Sequence, residues 1–277
     1  MNKSEQTTRK GLKKSAVSPL DDYLPLEGKL FGSKGTYVVK DIISASERSG
    51  MRTCLALNLN TAEYVVIKEF PTQASDSFMR EDYVQRVLQR EGGQQNILSA
   101  VDIIRKKNTS RMNRIIFPYA PEGDLKKLSP QGMPLEPALT KRVAVSICDA
   151  LDYLHKRGIT HRDVKDTNIL VNPEAGQEGI FKLSDFDICW HEDLQHLDQP
   201  STIAGSQLYM APEVALFEKP ASKQRDIYAT GVLLYKILAG EYPFYPSAKE
   251  NEMDFYSRIL QQPVPDHPEI SPRQKIV

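Results

Sequence analysis

The chain has 277 residues, 40% hydrophobic and 26% charged, a length and balance that suit one large domain or two lobes sharing a cleft and exclude wholesale disorder. Lys and Arg number 36, as do Asp and Glu, and the formal net charge of +0 argues against a protein built mainly to grip nucleic acid or anionic lipid. The three cysteines (Cys54, Cys148, Cys189) are odd in number and widely spaced, which fits a reducing, cytoplasmic compartment and neither a disulfide framework nor a Cys-based zinc site.

Residues 1–19 set Lys3, Arg9, Lys10, Lys13 and Lys14 against one acid, Glu5, and read as a disordered basic tail, with a nuclear address as the functional alternative. No apolar segment of signal-peptide type opens the sequence. Residues 20–36 read as a Gly/Pro-punctuated lead-in, so a domain is expected over 37–277. From Tyr37 the pattern is strand-like: 37–43, 51–57 and 63–70 are short runs of β-branched and apolar residues, the last two forming a hairpin that turns near 58–62. Phe78, Val84, Val87 and Leu88 recur at helical spacing within 77–91. Two more strands are expected at 97–104 and 114–119, after which Pro118, Pro121 and Gly123 mark a hinge over 118–123. The first lobe is thus 37–117 and the second 124–277.

Past Pro137 the period changes. Val143, Ile147, Leu151 and Leu154 line one face of a helix running through His155, and Gly158 stands where a helix C-cap glycine is favoured. Residues 169–172 and 179–184 read as a second hairpin. Residues 226–240 read as a buried helix, whose apolar stretch is broken by Lys236 and is about half the roughly 20 residues of a membrane span. Strands first and helices second, with one internal helix, make a two-lobed α+β chain.

The most informative stretch is His161-Arg-Asp-Val-Lys-Asp-Thr-Asn168, a loop held between a helix and a hairpin. Asp185-Phe-Asp187 follows an apolar strand, Lys68 closes the strand Val65-Val-Ile-Lys, and Gly205-Ser-Gln-Leu-Tyr-Met-Ala-Pro-Glu213 comes downstream. Phosphoryl transfer from a nucleotide requires few parts. Asp185 and Asn168 supply oxygen ligands for a hard cation. Lys68 can hold nonreacting phosphates, Asp163 can orient and deprotonate an attacking hydroxyl, and Lys165 can meet charge on the transferred group.

These motifs resemble those of eukaryotic-type Ser/Thr protein kinases, from about Tyr37 to about Phe244. HRDVKDTN is similar to the catalytic loop, VVIK to the lysine strand, DFD to the magnesium-binding DFG, and MAPE to the end of the activation segment. The resemblance implies an N-terminal antiparallel sheet with one helix, a mainly helical C-terminal lobe, ATP and Mg as cofactors, and protein substrates. It implies Asp163, Lys165 and Asn168 as catalytic residues and Asp226 as the brace of their loop. Phe117, Pro118, Tyr119 and Ala120 fall at the gatekeeper and hinge that meet adenine, and Asp124 within reach of the ribose. Ser206 is expected to bond Asp163 and Lys165, and Arg162 to receive a phosphate on Thr202, whose neighbour is Ser201. Thr167 and Lys236 stand where arginine-preferring kinases carry acids.

The sequence also departs from the family pattern. The loop 44–52 has only Gly50 where a glycine-rich phosphate cradle is expected. The helix acid paired with Lys68 should fall near Gln85 or Val84; Glu81, one turn earlier, is assigned to it. Asp187 replaces a glycine. The second lobe reads as truncated, leaving Glu213 without its usual arginine and pointing to a fragment or to a regulatory partner. Two other functions stay open: a pseudokinase that binds partners or nucleotide, and a small-molecule kinase of the aminoglycoside-kinase type.

Overall fold

A computed structural model of the chain describes residues 28–105, 112–130, 132–172, 180–197, 205–216, 222–268 and 270. The first lobe is a six-stranded antiparallel sheet in the order β1-β2-β3-β4-β6-β5. Its strands are β1 (Lys29–Phe31), β2 (Thr36–Ala45), β3 (Arg52–Asn58), β4 (Glu63–Phe70), β5 (Asp102–Ile104) and β6 (Asn113–Pro118). Side chains alternate across the sheet. Val39, Cys54, Ala56, Val65, Ile67 and Ile116 gather on one face into a small core with Tyr37. Phe70, Ile115 and Phe117 turn to the other face and pack Phe78 of α1 (Ser75–Arg90). Lys68, paired in register with Ile115, is on that second face.

The lead-in expected over 20–36 overlaps the lobe: β1 and the start of β2 lie within it. A tight turn with Gly32 N–H on the Gly35 carbonyl (2.9 Å) joins them. Asp102, at the opposite edge of the sheet, accepts from Ser33 Oγ (2.7 Å), Lys34 N (2.9 Å) and Tyr37 Oη (3.1 Å), and so curls the sheet onto itself. The strand expected over 97–104 is split. Ile97 bridges Leu183 of the second lobe, Gln85 then takes the Ala100 amide (2.7 Å), and only Asp102–Ile104 joins the sheet.

The second lobe contains α2 (Leu125–Leu128), α3 (Pro137–Lys156), the hairpin β7 (Ile169–Asn172) and β8 (Ile180–Leu183), α4 (Pro212–Ala215), α5 (Gln224–Ala239) and α6 (Glu252–Ile259). The stripe Val143, Ile147, Leu151 and Leu154 of α3 is fully inside, against Val232, Leu233 and Ile237 of α5. Each such side chain contributes about 1.5–3 kcal/mol on burial. Helix α3 ends in a Schellman motif: Gly158 at φ 73 donates to His155 (3.2 Å), and Ile159 to Leu154 (3.0 Å). Val84 and Leu88 of α1 join the same core, so α1 packs on both lobes. Among the described residues no helix is long and apolar enough to cross a membrane.

Candidate active site

After α3 the chain pairs Thr160 with Trp190 through two backbone hydrogen bonds (2.9 and 2.8 Å) and enters the loop 161–168. Asp226, in the first turn of α5, holds that loop from below. Its carboxylate accepts the amides of His161 (2.9 Å) and Arg162 (2.8 Å) and lies 2.8 Å from His155 Nε2. Arg162 is thereby fixed at φ 75, a left-handed conformation that costs a non-glycine residue on the order of 1–3 kcal/mol.

The next residue, Asp163, has both carboxylate oxygens engaged. Oδ1 accepts from Ser206 Oγ (2.9 Å); Oδ2 accepts from Lys165 Nζ (2.5 Å) and Asn168 Nδ2 (3.1 Å). Lys165 also donates to Ser206 Oγ (3.0 Å). Asn168 Nδ2 bonds the Asp163 carbonyl as well (2.9 Å), so the amide nitrogen is committed to the loop and its oxygen is left to accept. The Asn168 carbonyl takes the amide and the hydroxyl of Ser184 (2.9 and 3.0 Å), which docks the end of β8 beside the loop. His161 Nε2 meets the Ser184 carbonyl at 3.0 Å, and its ring packs on the edge of Phe186.

Asp185 follows at φ 71, the second non-glycine residue of the site in the left-handed region. It is hydrogen-bonded to Lys68, which reaches it from β4 across the two lobes. Lys68 Nζ is also 3.6 Å from Glu81 Oε2 on α1. Burial by itself would favour a neutral amine, yet the carboxylates of Asp185, Asp187 and Glu81 hold Lys68 firmly protonated. Burial likewise favours a neutral Asp185, and Lys68, by charge and hydrogen bond, holds it below the usual carboxylate range. Glu81 is therefore the helix acid facing Lys68. Its Oε2 also accepts the Phe186 amide (2.8 Å). Gln85, one turn on, props it at 3.3 Å while bonding the Leu98 carbonyl (3.0 Å).

Asp187 does not occupy a left-handed conformation, so this backbone does not call for the family's glycine. Burial pushes its carboxyl up to about 6; Lys68 opposes that rise and the neighbouring Asp185 and Asp163 add to it. In the loop between β2 and β3, four amides are used internally. Ser46 N donates to Met51 O (2.9 Å) and Gly50 N to Ser46 O (2.8 Å), while Ser49 N and Met51 N reach the hydroxyls of Ser46 and Ser49.

Phe117 is buried where β6 runs beside Val66, and the chain then turns through Tyr119 and Ala120, with Gly123 N on Ala120 O at 3.1 Å. Tyr119 is exposed with its ring edge on Tyr64. Asp124 caps α2, accepting the Lys127 amide (2.9 Å). Glu213 is partly exposed in α4 and forms no ion pair among the described residues; burial, with Glu213 nearby, pushes the Tyr228 phenol up to about 12. Ser201 and Thr202 lie outside the described residues.

One contact was not anticipated. Asp166 and Lys236 form a buried ion pair. The sequence offers its halves separately, an acid inside the loop 161–168 and a single charge in α5 beyond Asp226, with no sign that the two meet. Chemically, the arrangement offers a hydrogen-bonded carboxylate, two ammonium groups and two oxygen ligands where the two lobes meet.

Residues 49–275 match a family model described as "Protein kinase domain". A probable serine/threonine-protein kinase of Corynebacterium efficiens is 30% identical over 253 residues, covering 85% of this chain and 36% of that protein. The serine/threonine-protein kinase ppk25 of Schizosaccharomyces pombe is 29% identical over 242 residues, 82% of this chain and 53% of that protein. The human serine/threonine-protein kinase Sgk1 is 37% identical over 128 residues, 46% of this chain and 28% of that protein. The matched part thus spans between 28% and 53% of these relatives' lengths.

Proposed function

The chain belongs to the protein kinase domain family, and from that premise we propose that it transfers the γ-phosphoryl group of ATP to Ser or Thr hydroxyls of protein substrates. The observation that carries this reading is the convergence of Lys68, from the sheet, with Asp185 and the Asp163–Asn168 pair, from the helical lobe. In the step, the substrate hydroxyl oxygen bonds to the γ-phosphorus, the bond to the β–γ bridging oxygen breaks, and ADP leaves. Asp163 orients the hydroxyl and receives its proton. Lys68 anchors the nonreacting phosphates, and Lys165 stands as positive charge beside the transferred group. Ser206, bonded to both Asp163 and Lys165, supports the Ser/Thr assignment, as do the names of the relatives.

Asn168 and Asp185 suit a hard divalent cation such as Mg²⁺. Their donors are an amide oxygen left to accept and a carboxylate held ionised. When bound, the ion supplies positive charge to the phosphate oxygens. The free thiols of Cys54, Cys148 and Cys189 support a reducing compartment such as the cytoplasm.

The test is incubation of the purified protein with labelled ATP, Mg²⁺ and a generic protein substrate, followed by phosphoamino-acid analysis, beside Asp163→Asn and Lys68→Met controls. Label on phosphoserine and phosphothreonine that both substitutions abolish is the expected outcome. Nucleotide-dependent melting without transfer, or transfer to small hydroxyl compounds alone, would overturn it.

A further inference from the structure

From Ile227 to Ala239 helix α5 carries one charged residue, Lys236. That side chain is 6% exposed, and its ammonium is paired with the carboxylate of Asp166, itself 5% exposed. An ion pair sealed from water gains little over a well-packed apolar pair, so stability alone does not explain charges at these two places. Their position does. Asp166 opens the short turn Asp166–Asn168 that ends on the candidate metal ligand.

That turn is fixed at both ends. At its start, one Asp166 oxygen takes Lys236 and the other takes the Thr167 amide (2.9 Å). At its end, Asn168 Nδ2 is held by the Asp163 carbonyl and carboxylate. The Lys236 ammonium lies 4.7 Å from the centre of the Tyr242 ring, whose hydroxyl reaches Tyr209 Oη (3.3 Å). Tyr209 closes the turn Gln207–Tyr209, directly after Ser206. Lys236 thus stands where α5, the catalytic loop and the segment carrying Ser206 meet.

We propose that Lys236 is a positioning residue: through Asp166 it sets the turn that aims the Asn168 amide oxygen at the metal. The inference rests on the kinase reading for what the metal does, and its test is a binding measurement that does not require turnover. Mn²⁺ is titrated by electron paramagnetic resonance in the presence of a non-hydrolysable ATP analogue, at a temperature well below each variant's melting midpoint. Asp166→Asn and Lys236→Met should each weaken Mn²⁺ binding about tenfold, as loss of supporting contacts to metal ligands commonly does. Metal-free nucleotide affinity should stay within about twofold, and Lys236→Arg, which keeps the charge, should retain most of the Mn²⁺ affinity. Should Lys236→Met fail to fold, the near-isosteric Asp166→Asn decides. Unchanged Mn²⁺ affinity in folded variants, with only a lower melting midpoint, would reduce the pair to a structural contact and overturn the proposal. A wild type that binds the Mn²⁺–nucleotide complex but transfers nothing would defeat the kinase reading and leave this inference to the binding data.

Discussion

Asp163 carries more contacts than a proton acceptor at rest requires: Ser206, Lys165 and Asn168 all donate to its carboxylate. An incoming hydroxyl must share or replace one of them, and of the two neutral donors, Ser206 and Asn168, only Asn168 also holds the loop backbone, which leaves Ser206. Ser206→Ala should therefore lower kcat by about tenfold, the worth of one hydrogen bond to a charged group, with the KM for ATP unchanged in steady-state kinetics. Asp187 gives a prediction of opposite character. Its carboxyl is raised to about 6 from an ordinary value of 3.8, chiefly by burial. A raised carboxylate is a penalty that is fully present above pH 6 and vanishes as the pH falls below the unfolded value. In protein stripped of metal by EDTA, Asp187→Asn should melt higher than wild type at pH 8, by at most about 3 kcal/mol in stability. That advantage should shrink steadily between pH 6 and pH 4 in a series of thermal melts. A constant difference across the series would show that Asp187 is ionised without cost.

At the scale of elements, the first lobe depends on the contact between the β1–β2 turn and β5. A Cβ on Gly32 would sit 2.2 Å from Asp102 Oδ2 and 2.9 Å from the Tyr37 ring. Gly32→Ala should cost about 1–3 kcal/mol through forced displacement of that buried carboxylate, read as a lower urea midpoint with unchanged slope. This part of the fold was hidden in the sequence, because β1 is only Lys29–Phe31 and its anchoring Asp102 lies far along the chain. By contrast, β3, β4, α3 and α5 were legible, since their apolar residues repeat at the period of the element that buries them. The strand expected over 97–104 misled for a definite reason: one apolar run serves two partners, Ile97 on β8 and Asp102–Ile104 on β6. Helix α1 was legible as a helix but not in rotation, because its inner face buries Arg80, Glu81, Asp82 and Gln85 beside Phe78, Val84 and Leu88. An apolar stripe tells which side faces in; four polar residues on that side blur it, which is why Glu81 had to compete with Gln85 and Val84.

Across the whole molecule, the two lobes are joined at the candidate active site. Lys68 meets Asp185, Glu81 meets the Phe186 amide, and Arg80 of α1 bonds the Cys189 carbonyl (2.7 Å). The meeting of Asp163 and Asn168 was readable because both lie in one short loop, whereas Asp185, beyond β8, was placed beside them by the resemblance of its motif. The Asp166–Lys236 pair was not readable, since nothing local reveals which distant charge will be buried against which. On the proposed reading, the altered features, a β2–β3 loop with amides bonded internally and an aspartate in place of a glycine, bear on how nucleotide is held, whereas the groups assigned to proton and phosphoryl transfer are in contact. The account therefore stands on a division of labour between holding and reacting. The direct measurement is single-turnover phosphoryl transfer at saturating ATP and Mg²⁺ for wild type and Asp163→Asn, with nucleotide affinity determined by calorimetry on the same samples. The account predicts a rate lower by about 10²–10⁴-fold in the variant with nucleotide affinity kept within about threefold. Transfer by Asp163→Asn at the wild-type rate would contradict it.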